Sequence, residues 1–143
     1  MKKYLLILIL IFISFWGVSQ SYKDNFNKSL TTKQRQDLKN KIHDYSQIIK
    51  EDKNNPTLFL NRGVVYSQLG YYNEAITDYN TALKIDSTMS QAYYNRGLSR
   101  SRFRYTKRSC GDIKKSYKLG LDIAKNTYIK HCRKYFSELG ELK

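Results

Sequence analysis

Proline is almost absent: Pro56 is the only one in 143 residues, so no proline-rich linker divides the chain. Cysteine appears twice, at Cys110 and Cys132, and histidine twice, at His43 and His131. The cysteines are too far apart for a CxxC redox pair, and two sulfurs with two distant histidines make a poor zinc site. GxSxG, HExxH and a glycine-rich loop leading into a helix are all missing, which removes the common acyl-transfer, zinc-protease and phosphate-loop readings. Acidic residues are scarce, 12 against 26 lysines and arginines, and most fall at helix surfaces or caps. No catalytic or metal-binding constellation emerges, so the chain reads as non-enzymatic, with no cofactor, no metal and no small-molecule substrate. Alternation of apolar and polar residues never persists beyond a few positions, which argues against strands and for an all-α chain.

What is present begins with Met1-Lys2-Lys3 and the apolar run Tyr4 to Val18, with Gly17 and Ser19 placed three and one before a cut ahead of Gln20. This is the form of a signal peptide over residues 1–19, short for a membrane span; a retained N-terminal anchor is the alternative. No cysteine lies near the cut, so lipid attachment to an N-terminal cysteine is excluded. Export, to a periplasm or the exterior, is the expectation. Residues 20–30 are polar and without period, a flexible lead-in. A helix over 31–51 comes next, opened by Thr31 and Gln34 at capping-box spacing and carrying the apolar stripe Leu38, Ile42, Tyr45, Ile48 and Ile49.

The most ordered pattern runs from Phe59 to Ile85. Phe59, Gly63, Tyr66 and Leu69 recur at helical steps, and after Leu69-Gly70 so do Tyr72, Ala75, Ile76, Tyr79, Ala82 and Leu83. Two helices are implied, with Gly63, Ala75 and Ala82 allowing close approach and the large rings filling the space beside them. Asn61-Arg62-Gly63 returns as Asn95-Arg96-Gly97, a shift of 34 residues. At the same shift Leu38, Ile42, Tyr45 and Ile49 fall on Tyr72, Ile76, Tyr79 and Leu83, so the helix over 31–51 reads as the second half of an earlier unit. The unit over 56–89 is well formed. The unit over 90–120 is degraded, with Arg100 in the Tyr66 slot, Arg104 in the Gly70 slot and serines for alanines.

A 34-residue helix-turn-helix period with these small and aromatic positions resembles the tetratricopeptide repeat (TPR), as found in small secreted or periplasmic bacterial proteins of that family. The resemblance implies a short, right-handed TPR-like α-solenoid of about two and a half repeats, closed by a capping helix over 121–140 that covers its open end. It implies a protein-interaction module with a concave groove lined by first-helix residues: Leu60, Val64, Ser67 and Gln68, then Tyr94, Leu98, Ser101 and Arg102. These would otherwise be ordinary exposed helix surface. The carboxylate-gripping pattern of some members needs Lys and Asn where Leu60 and Val64 stand, so that ligand is not carried over. The repeat shift places Cys110 on the Ile76 slot, which in the family faces the following helix. With Cys132 on the capping helix, a Cys110–Cys132 disulfide is expected in an exported chain; a pair of buried thiols is the alternative.

Charge is uneven. Without residues 1–19 the chain holds 24 basic and 12 acidic residues; residues 20–89 are net +2 and residues 90–143 net +10. Arg96, Arg100, Arg104, Lys107 and Arg108 suggest a basic patch. Such a patch favours an acidic peptide or protein, or alternatively an anionic polymer, membrane surface or nucleic acid; export argues against the last, and a merely solubilising surface is the plainest account. Sequencing the exported protein from its N-terminus should give Gln20 as the first residue, whereas an intact Met1 would exclude cleavage.

Overall fold

The computed structural model describes residues 30–136. The signal peptide, all but the last residue of the lead-in, and Leu139 and Gly140 of the expected cap lie outside the described residues. The chain divides into two units, Met1–Asp37 and Leu38–Lys143. In the described part of the first, the Gln34 N–H donates to Thr31 Oγ1 at 3.2 Å and the Thr31 N–H donates to Gln34 Oε1 at 2.8 Å. This is the expected capping box, and it starts helix α1 (Thr32–Glu51).

After α1, the second unit continues as helices joined by turns and links: α2 (Pro56–Gln68), α3 (Tyr72–Ile85), α4 (Ser90–Arg100), α5 (Lys107–Lys118) and α6 (Asp122–Thr127). Helix α2 starts where Asn55 Oδ1 accepts from the Thr57 N–H at 3.1 Å and Pro56 supplies a fixed φ. It ends at Gly70, whose φ of 82° is open to glycine at little steric cost. Gly120 ends α5 in the same way, as expected, with the Leu121 N–H donating to the Ser116 carbonyl at 3.2 Å. Helix α4 has Arg104 in place of that glycine. It stops early, and a six-residue link runs to Thr106, which opens α5 through a capping box with Ser109.

Helices α2 and α3 pack as one hairpin, α4 and α5 as a second, and α3 lies against α4. The glycines stand where the hairpins close. A Cβ on Gly63 would lie 2.6 Å from Tyr79 Cε1, and one on Gly97 would lie 2.8 Å from Ile113 Cγ1. Tyr79 and Ile113 are themselves 34 residues apart. Each repeat therefore sets a large side chain onto a bare stretch of backbone, and both large residues are almost wholly buried.

A second repeated device is polar. Arg62 Nε and Nη2 donate to Asp78 at 2.8 and 2.7 Å, and Nη1 donates to Ser46 Oγ at 3.0 Å. Thirty-four residues on, Arg96 Nε and Nη2 donate to Asp112 at 3.0 and 2.6 Å, and Nη1 donates to Asn80 at 2.8 Å. Each guanidinium thus joins its own hairpin partner to the helix before it. The carboxylates are buried. Such a fork is worth little net over apolar packing, but removing one partner typically costs several kcal/mol because a desolvated charge is left behind. Its hydrogen bond to Asp78 holds the Arg62 guanidinium above its ordinary pKa.

Of the serines that replace alanines, Ser109 serves the Thr106 cap. Ser116 Oγ is fully buried and finds no partner among the described residues, a cost the second repeat carries for its departure from the first.

The expected capping segment is helical from Asp122 to Tyr135, but not as one regular α-helix. Regular α-helix ends at Thr127, and a π turn (Tyr128–Cys132) and a 3-10 turn (Arg133–Tyr135) come after it. The shift that carries Gly63 to Gly97 carries Gly97 to His131, so this segment lacks the small residue that lets the earlier first helices run straight past their partners. A π turn takes in an extra residue and rotates the chain beyond it. Cys132, its last residue, is fully buried and bonded to Cys110 of α5, with Cα atoms 5.2 Å apart. The bond lies in a cluster with Tyr94, Ile113, Ala124 and Tyr128.

Replacing both cysteines with alanine should lower the unfolding free energy by about 3 kcal/mol, from the entropy of an opened loop, seen as an earlier midpoint in urea. A second test concerns pH. Burial, with the Asp78 carboxylate adding to it, raises the pKa of the Tyr79 hydroxyl well above its ordinary value near 10. The folded chain therefore keeps a proton that the unfolded chain releases. Stability from this group is complete below about pH 10 and falls as pH rises beyond it. Urea melts between about pH 9 and 11 should show that decline, and Tyr79→Phe should reduce its slope.

Candidate peptide groove and basic surface

Between α2 and α4 lies an open cavity of about 300 Å³. Leu60, Asn61, Val64, Ser67 and Gln68 form one wall, Gln91, Asn95 and Leu98 the other, and Tyr79 of α3 lies beneath. Five of the eight expected groove residues are brought together here. Leu98 is 36% exposed and offers an apolar contact opposite Leu60 and Val64. Gln91 Nε2 donates to Asn95 Oδ1 at 3.1 Å, aligning two amides along one wall. No charged side chain lines the cavity.

Tyr94, Ser101 and Arg102 stand elsewhere. The Tyr94 ring is buried toward the C-terminal segment, and its hydroxyl lies 3.0 Å from Thr127 Oγ1. Ser101 Oγ donates back to the Leu98 carbonyl, and the Arg102 guanidinium lies over the Tyr72 ring with its carbon 5.5 Å from the centroid. The reason is geometric. The repeat shift alone does not decide which residues face the cavity: the equivalents Asn61 and Asn95, and Val64 and Leu98, all line it, whereas Leu60, Ser67 and Gln68 line it without their equivalents Tyr94, Ser101 and Arg102. Helix α4 turns its 91-95-98 edge to α2 and Tyr94 to α6. Asn61, Gln91 and Asn95 were missed; the i, i+4 spacing of Gln91 and Asn95 on one edge of α4, and the 34-residue step from Asn61 to Asn95, are the signals that identify them.

The expected basic patch is also divided. Arg96 and Arg100 both donate to the buried Asp112 and are mostly covered. Burial pushes the Arg100 guanidinium below its ordinary pKa, and Arg96 beside it adds repulsion against the pull of Asp112. Arg104, Lys107 and Arg108 are exposed. Among the described residues no three histidine, cysteine or carboxylate side chains converge on a metal position, and no helix there is long and apolar enough to cross a membrane.

Residues 66–101 match the TPR repeat family. The comparison with curated proteins gives no match. Among solved structures, the chain is similar to the Arabidopsis OM64 TPR domain, at 21% identity and a TM-score of 0.59, over 86% of this chain and 90% of that one. It is also similar to the second TPR domain of human RPAP3, solved by NMR in complex with the HSP70 peptide SGPTIEEVD. There the identity is 25% and the TM-score 0.61, over 76% of this chain and 89% of that one. Two helical hairpins in 34-residue register, a family match across their junction and this likeness in fold lead to one conclusion: the chain has the solenoid-like TPR fold, and its residues 66–101 are similar to the TPR repeat family.

Proposed function

We propose that this chain is an exported, non-enzymatic protein-interaction module that receives an extended peptide between α2 and α4. TPR domains are protein-interaction modules, and the similar RPAP3 domain holds a peptide. The observation that carries the reading is the composition of the cavity. Side-chain amides of Asn61, Gln68, Gln91 and Asn95 surround the apolar Leu60, Val64 and Leu98. An amide side chain both donates and accepts, which suits the alternating groups of a peptide backbone. The apolar trio gives one peptide side chain a place to be desolvated. The preference for an acidic partner comes from outside the cavity, from the net +10 of residues 90–143, which attracts anions from a distance. With so short a groove, affinity from this domain alone is modest.

The exposed Arg104, Lys107 and Arg108 favour a second reading, loose adhesion to an anionic polymer with the repeats as scaffold. Salt separates the two. An acidic peptide selected from a random library should remain bound at an ionic strength on the order of 0.3 M, where exposed charge pairs are largely screened. Leu98→Asp or Val64→Asp should weaken it by about tenfold or more with the helical circular dichroism unchanged. Binding that ignores both substitutions and disappears with salt would favour adhesion and rule out the groove.

A further inference from the structure

We propose that a second pocket, between the Arg104-Tyr105 link and the segment 129–135, binds a phosphate group. It shares no residue with the peptide groove and goes beyond the interaction-module reading. The cavity is about 700 Å³, room for a phosphorylated small molecule or a lipid headgroup rather than a single ion. Four permanent cations line it, Arg104, Lys130, Arg133 and Lys134, and no carboxylate does. Arg104, Lys130 and Arg133 are exposed and form no ion pair among the described residues. The contrast with Arg96 and Arg100 is chemical: those two have Asp112, and these three have no counter-charge among the same residues.

Like charges gathered at one cavity repel unless an anion joins them. A carboxylate brings one charge and two oxygens. A phosphate monoester brings nearly two charges and three acceptor oxygens, which matches several cations converging from different sides. The frame that carries the cations is joined at three points. The Tyr105 and His131 rings stack with centroids 4.4 Å apart and planes within 2°. The Tyr135 hydroxyl donates to the Tyr105 carbonyl at 2.6 Å, joining the two walls, and Cys132, midway along one wall, is tied to Cys110. The backbone positions that carry the cations are thus tied to one another before any ligand arrives, which leaves mainly side-chain ordering for binding.

The phosphate can be free or borne by a lipid. Phe103 is 84% exposed and Ile129 50% exposed; the first adjoins Arg104 and the second lines the pocket itself. Apolar side chains beside a basic pocket suit the boundary between headgroups and acyl chains.

The full chain without residues 1–19 should be titrated with inorganic pyrophosphate against sodium chloride of matched ionic strength, with backbone amide shifts recorded. In parallel it should be floated with phosphatidylglycerol or phosphatidylcholine vesicles. The proposal expects saturable pyrophosphate shifts at residues 104–105 and 129–135, or retention on the anionic vesicles alone. In either case the double variant K130A/R133A should weaken binding about tenfold, while the selected groove peptide binds as before. Pyrophosphate binding without vesicle retention assigns a soluble phosphate; retention that Phe103→Ser removes assigns a lipid. Shifts equal to those from sodium chloride together with no retention, or unchanged affinity in K130A/R133A, would overturn it.

Discussion

Two arginines, Arg62 and Arg96, fasten three helices each, and the stack in the second unit depends on their position. Apolar contact within a hairpin is non-directional and by itself places no polar constraint on register. A guanidinium forked onto one buried carboxylate, with its remaining nitrogen on the preceding helix, does not slide without leaving a desolvated charge behind. The glycines act in the same layer: Gly63 and Gly97 each follow the arginine in sequence, so the point of closest approach and the point of polar locking share one helical turn. Aromatic rings complete it, with Arg62 over Phe59 and Tyr66 and Arg96 over Tyr93 at centroid distances from 5.3 to 5.9 Å. Apolar burial supplies most of the stability, and this layer selects the register in which it is realised.

The locking layer also explains which features are legible in the sequence and which are not. Helix periods, the crossing glycines, the Thr31–Gln34 box and the bonding of Cys110 to Cys132 were legible because each rests on local spacing or on one repeat shift. Arg96 and Arg100 read as surface charge because nothing in a single helix shows that Asp112, sixteen residues after Arg96, turns inward to meet them. The matching pair Arg62 and Asp78 was the available signal, since a charge pair that repeats at the structural period belongs to the scaffold. Arg100, which looked like decay of the Tyr66 slot, is a third member of the same cluster. Tyr94 was placed in the groove by analogy with Leu60, but its ring has a neighbour that Leu60 lacks, the C-terminal segment. The π turn was illegible, because it reflects how residues 128–132 fit against α5 rather than any preference within them.

Charge is sorted by the same logic. Within the second unit, internal ion pairs retain Arg62 and Arg96, which follow the repeat period, together with Arg100, while Arg104, Arg108 and Arg133 remain exposed. The groove between α2 and α4 is consequently neutral although the chain is strongly basic, and the cations cluster where the second repeat departs from the pattern, in the link 101–106 and the segment after Thr127. Selectivity for a peptide's backbone and attraction toward its charge thus reside on different surfaces. A partner can be drawn by one and held by the other, and substitutions in the link can alter attraction without disturbing the hairpins.

So short a stack must also be closed at its end. Longer repeat arrays bury the exposed face of each unit under the next, and the final face needs a lid whose own contacts are few. Here α6 is only six residues long, below the length at which a helix persists on its own, and its continuation is irregular. Apolar contact with α5 through Ala124 and Tyr128 is therefore supplemented by a covalent bond at the far end of the segment. That choice links fold to compartment. A disulfide closes this lid durably only where thiols are oxidised, so a chain that reached such a compartment would have a fixed C-terminal face, and one retained among reducing thiols would present an end held by side-chain packing alone.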